Sequence, residues 1–78
     1  MKRVTLYTKP GCHLCENALR EIEAVRREIP FELELRNILD DDEDFAKYEL
    51  DIPVITLDGR EIARHRVTSQ QLREALAD

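Results

Sequence analysis

Both cysteines of this 78-residue chain lie in one tetrapeptide, Cys12-His13-Leu14-Cys15. Thiols three positions apart are within disulfide reach across a single helical turn. If a helix begins at this point, the first thiol sits at its mouth. Unpaired backbone N–H groups and the positive end of the helix dipole there favour thiolate over thiol. The thiolate is the attacking species in thiol–disulfide exchange. The spacing therefore predicts that Cys12 attacks a substrate disulfide, forming a mixed disulfide. Cys15, one turn further in and facing the core, then attacks Cys12 and releases the reduced substrate. Lys9 on the same loop is a candidate source of positive charge, and His13, when protonated, of thiolate stabilisation that would make the disulfide more oxidising. Each also has a plain alternative as a solvated side chain.

Other uses of two cysteines fit less well. A structural disulfide across four residues closes too small a loop to stabilise much, and a reducing compartment would keep it open. A zinc site needs four ligands, and beyond the thiols only His13 and His65 are typical partners. A metal or iron–sulfur cluster shared between two chains remains an alternative function, as does a redox-silent interaction module.

The elements that must position these residues follow from periodicity. Residues 3–8 alternate in the manner of a strand, and Lys9-Pro10-Gly11 breaks it. From 13 to 28 the residues Leu14, Ala18, Ile22, Val25 and Ile29 recur at helical spacing and predict one buried stripe, ended by Pro30. Phe31, Leu33 and Leu35 alternate with charged residues, predicting a half-buried strand. Acids then start a short helix over 41–49, with Phe45 and Tyr48 on one side. Val54 to Leu57 reads as a strand, Asp58-Gly59 as a hairpin turn, and residues 60–66 as its antiparallel partner. Thr68 and Gln71 form a capping box, with Val67 and Leu72 as a hydrophobic staple, so a last helix begins there with Leu72, Ala75 and Leu76 inward. The order predicts an α/β (α+β) domain spanning 1–78, with a four-stranded mixed sheet and about three flanking helices.

Composition narrows the partners. The formal charge is −5. It is carried by residues 37–58, where one basic and eight acidic side chains leave −7, while the flanking parts are each at +1. An acidic chain of this kind argues against unspecific nucleic-acid binding. The plain account of the acidic run is a solvated first turn of helix; the alternative is a partner-selecting patch. No stretch approaches the roughly 20 apolar residues of a membrane span, and Val4 to Lys9 is too short for a secretory core. The expectation is a cytoplasmic monomer that uses neither nucleic acid nor membrane.

The run Tyr7-Thr8-Lys9-Pro10-Gly11-Cys12-His13-Leu14-Cys15, followed about 40 residues later by Ile52-Pro53 opening a strand, resembles the thioredoxin-fold superfamily and most closely its small glutaredoxin-like proteins. The resemblance spans essentially the whole chain. It implies a thioredoxin-like fold and thiol–disulfide oxidoreductase activity, with no bound cofactor. Cys12 matches the nucleophile and Cys15 the resolving thiol. Pro53 matches a cis-proline beside the disulfide, after Ile52, whose backbone would pair with an extended substrate. Tyr7 matches an aromatic position near the site. Implied partners are disulfide-containing proteins, with glutathione or a thioredoxin-reductase-like enzyme as electron donor. The chain departs from typical glutaredoxins in having His13-Leu14 between the cysteines. It also lacks glycines after the last strand, where Arg64-His65-Arg66-Val67-Thr68-Ser69 stands instead. The Thr68/Ser69 helix start is a possible carboxylate-binding site, helped by Arg64 or Arg66.

Overall fold

A computed structural model describes residues 1–77. The order is strand β1 (Arg3–Thr8), helix α1 (His13–Arg26), strand β2 (Glu32–Asn37), a 3-10 turn (Ile38–Asp40), helix α2 (Asp42–Tyr48), strands β3 (Val54–Leu57) and β4 (Arg60–Arg64), and helix α3 (Ser69–Leu76). The strands form one mixed sheet in the order β2-β1-β3-β4. β1 pairs β2 in parallel across the α1 crossover, and β3 runs antiparallel to both β1 and β4. The Asp58-Gly59 turn joins β3 and β4, with both residues at positive φ as a two-residue hairpin loop requires.

Alternation along the central strands divides the molecule into two layers. Val4 and Leu6 of β1 and Ile55 and Leu57 of β3 point toward α1 and α3, joining Ala18, Ile22, Val25 and Leu72 in the main core. Leu6, Ile22, Ile55 and Leu72 are fully buried. Burial of a side chain of this size contributes about 1.5–3 kcal/mol, so these few residues supply much of a thin core. On the opposite face Tyr7 and Val54 meet Ile38, Tyr48 and Ile52 in a smaller cluster beneath α2. All four residues of β3 are buried, as expected of a strand covered on both sides.

Five expectations need correction. The buried stripe of α1 is Cys15, Ala18, Ile22 and Val25, while Leu14 is 45% exposed. The helix ends at Arg26, before Ile29, which packs on the core from the following turn. β2 is an edge strand, and its Leu35, opposite Leu6, is 53% exposed because the cover over the core does not reach this end of the edge. In α2 only Tyr48 turns inward, leaving Phe45 in solvent. Finally β4 stops at Arg64, because His65 adopts a left-handed φ of 70° that takes the chain out of the strand.

Candidate functional site

Sheet register gathers the cysteines and the proline loop at one end of the sheet. Thr8 at the end of β1 faces Asn37 at the end of β2, and Tyr7 faces Val54 at the start of β3. The chain leaves this end through Lys9 and Pro10 and enters it again through Ile52 and Pro53. β4 ends here too, since Val54 is paired with Arg64. Gly11 turns the loop at a φ of 78° with open space around it, so what selects glycine is the backbone angle.

Cys12 is the N-cap of α1. Its backbone is extended (φ −96°, ψ 105°), and its Sγ accepts a hydrogen bond from the Cys15 N–H at 3.1 Å. The sulfur thus occupies the place a serine or aspartate oxygen holds in an ordinary cap. Its carbonyl also accepts the first helical hydrogen bond, from the Glu16 N–H. Cys12 and Cys15 are joined as a disulfide with Cα atoms 5.2 Å apart. Cys15 is only 2% exposed, whereas Cys12 is partly open to solvent. The pair is therefore asymmetric, with an accessible sulfur at the helix mouth and a shielded one against the core.

The proline loop is tied down from both sides. The Ile52–Pro53 bond is cis, and Pro53 is buried. The Pro53 carbonyl accepts a 2.7 Å hydrogen bond from the His65 N–H. Asp51, just before the loop, lies 3.3 Å from Arg64 Nη1 and 3.6 Å from His65 Nε2. Arg64 is further held by Glu61 through bonds of 2.7 and 2.8 Å, which raise the arginine pKa and lower that of the carboxyl. Arg64 is thereby engaged with the chain's own carboxylates and is no open partner for a ligand.

Other candidate residues fall in different places. Lys9 is exposed on the loop. The His13 side chain is 94% exposed with Nδ1 3.6 Å from Glu16, so it projects into solvent. Tyr7 belongs to the α2 side of the sheet. Its ring lies 4.4 Å from that of Tyr48, and Arg36 sits 5.9 Å from its centroid. Burial, followed by the nearby Tyr48 and Asp44, raises the Tyr7 pKa above 10.0. Arg36 in turn holds Asp44 at 2.8 Å and lies 3.7 Å from Asp41 and 3.5 Å from Glu34, so part of the acidic segment is neutralised internally.

The Thr68/Ser69 helix start is already occupied. The Thr68 N–H donates to Gln71 Oε1 and the Gln71 N–H to Thr68 Oγ1, which completes the expected capping box. The Ser69 N–H and hydroxyl both donate to Glu21 Oε1 of α1, at 3.0 and 3.1 Å. A carboxylate does sit at this helix start, and it is the protein's own. Glu21 was not among the residues the sequence singled out, for nothing local marks a pair 48 residues apart. Among the described residues, no group of three or more His, Cys, Asp or Glu side chains is placed to hold a metal ion.

Comparison with known proteins agrees with this geometry. A structural-genomics target protein from X. campestris, XcR50, is 29% identical, with a TM-score of 0.78 over 95% of each chain. Protein Ne2328 from Nitrosomonas europaea is 24% identical, with a TM-score of 0.81 over 95% of this chain and 89% of its own. Thioredoxin from Fasciola hepatica is 26% identical, with a TM-score of 0.62 over 97% of this chain and 78% of its own. The fold is thioredoxin-like, with a close cysteine pair where the first strand meets the first helix. The sequence profile of the glutaredoxin-like domain (DUF836) matches residues 3–77, and the chain belongs to that glutaredoxin-like family.

Proposed function

We propose that this protein is a dithiol–disulfide oxidoreductase that acts on protein disulfides or on mixed disulfides with small thiols. The observation that carries the proposal is the cap at Cys12, where the Cys15 N–H points at Cys12 Sγ from the start of a 14-residue helix. In the reduced protein the same N–H and the helix dipole favour the thiolate form of that sulfur. The Cys12 thiolate attacks one sulfur of the substrate disulfide. A Cys12–substrate disulfide forms and the other substrate sulfur leaves as a thiolate. Cys15 then loses its proton and attacks Cys12, closing the internal disulfide and expelling the second substrate thiolate. Two electrons have passed to the substrate. Two glutathione thiols, leaving as glutathione disulfide, or the dithiol of a reductase, itself oxidised to a disulfide, supply the two electrons that open Cys12–Cys15 again.

The burial of Cys15 supports its resolving role, because a shielded sulfur reaches its neighbour more readily than a bulky substrate. The Ile52 backbone, at the same end of the sheet, is the partner we assign to an extended substrate chain. The test is turnover of a protein disulfide and of a glutathione mixed disulfide by wild type, Cys12→Ser and Cys15→Ser. Cys12→Ser loses both reactions. Cys15→Ser loses the protein-disulfide reaction, and retention of glutathione turnover by that variant would mark a one-thiol route for the small substrate. Activity surviving in Cys12→Ser would overturn the mechanism.

A further inference from the structure

Beside the cysteines, α1 and the segment between β4 and α3 enclose a groove of about 310 Å³ lined by Leu14, Asn17, Ala18, Glu21, Arg66, Val67 and Thr68. It begins at Leu14, inside the cysteine tetrapeptide, and ends at Glu21. The two are seven helical positions apart, a length of about 10 Å at 1.5 Å per residue. An extended peptide covers that length with about three residues at 3.3 Å each. Ala18 and Val67 are buried and Leu14 is half-exposed, so the floor is apolar, with the Asn17 and Thr68 side chains at its margins.

Charge in the groove is balanced by the protein itself. Arg66 brings one positive charge. The start of α3 brings positive potential and N–H donors, but the Ser69 N–H and hydroxyl are both spent on the Glu21 carboxylate. A substrate carboxylate arriving here would have to displace Glu21 or share donors with it. We infer that Glu21 is a specificity-determining residue, an internal carboxylate that reserves the groove for an apolar, uncharged peptide segment flanking the substrate's disulfide cysteine and disfavours an anionic one. The inference rests on the proposed attack by Cys12, since the groove matters only to a substrate held there.

Mixed-disulfide formation isolates this step. In the Cys15→Ser protein, the Cys12 thiolate attacks a peptide disulfide and stays joined to one peptide, while the other leaves as its thiolate. The probes are end-blocked peptide disulfides with Lys, Gln or Glu three residues to either side of the cysteine, and each rate is divided by that of the Gln peptide. Adding Glu21→Gln leaves the α3 donors and Arg66 unbalanced, so the Glu/Lys rate ratio should rise at least fivefold. Arg66→Gln removes the opposing charge and should move the ratio the other way. Circular dichroism and the thermal midpoint establish that each variant is folded, and the Arg66→Gln result stands independently if Glu21→Gln is not. A ratio that moves less than twofold in the folded variants overturns the role of Glu21 while leaving Cys12 untouched. No adduct with any probe overturns the attack by Cys12, and the groove's role falls with it.

Discussion

Cys12 and Tyr7 illustrate how position decides the chemistry of a side chain. Cys12 is made into a helix cap whose sulfur accepts a hydrogen bond from the Cys15 N–H, and in the proposed mechanism that N–H favours negative charge on the reduced sulfur. Tyr7 is held on the other face of the sheet, where burial favours its neutral form. A pKa raised in the folded state means that the fold binds the phenol proton more tightly than the unfolded chain does. The resulting stability is complete below pH 10.0 and is lost as pH rises through the higher folded value. In a Tyr48→Phe variant, ultraviolet titration should find the remaining phenol ionising above 10.0, with the denaturant midpoint falling over the same range; ionisation at or below 10.0 contradicts this. The cysteine pair was legible in the sequence because both cysteines share one tetrapeptide. The inward turn of Cys15 was legible too, but the outward turn of Leu14 was not, since Leu14 is also compatible with a stripe through Ala18, Ile22 and Val25 at helical spacing. The way α1 is set on the sheet buries Cys15 and exposes Leu14 at the mouth of the groove.

At the scale of elements, signals confined to a few residues survived folding and those depending on packing did not. The capping box at Thr68 and Gln71 and the Asp58-Gly59 hairpin are both present where local chemistry placed them. Thr68→Ala removes the side chain that accepts the Gln71 N–H and should cost about 1 kcal/mol. For a domain of this size that corresponds to a thermal midpoint lower by roughly 4–8 °C. An unchanged midpoint would mean that the tie between Ser69 and Glu21 alone secures the helix start. By contrast, the exposure of Leu35 follows from the place of β2 at the sheet edge, and the inward turn of Tyr48 from the small cluster under α2. The link from α1 to α3 through Glu21 depends on how two helices pack together, a relation that no local pattern encodes. Periodicity specifies which residues of an element share a face and leaves open how much of that face is covered.

For the whole molecule, the concentrated acidity of residues 37–58 becomes a field with partial internal compensation. Arg36 balances Asp44 and its neighbours, and Arg64 balances Asp51, but Asp40, Asp42, Glu43 and Glu49 are exposed around the end of the sheet that carries the proline loop. Such a field acts over about 10 Å at 0.1 M salt. Raising ionic strength should therefore slow reaction with a basic protein disulfide and speed reaction with an anionic glutathione mixed disulfide, each severalfold. Equal responses of the two substrates would show that the acidic segment does not steer partners. All of this presupposes that substrate is captured by one defined sulfur. The most direct measurement is to incubate reduced Cys15→Ser protein with a disulfide substrate and map the trapped adduct by peptide mass spectrometry. One substrate thiol per chain is expected, joined to Cys12 and removed by added thiol. A folded, reduced protein that forms no adduct at Cys12 would contradict it.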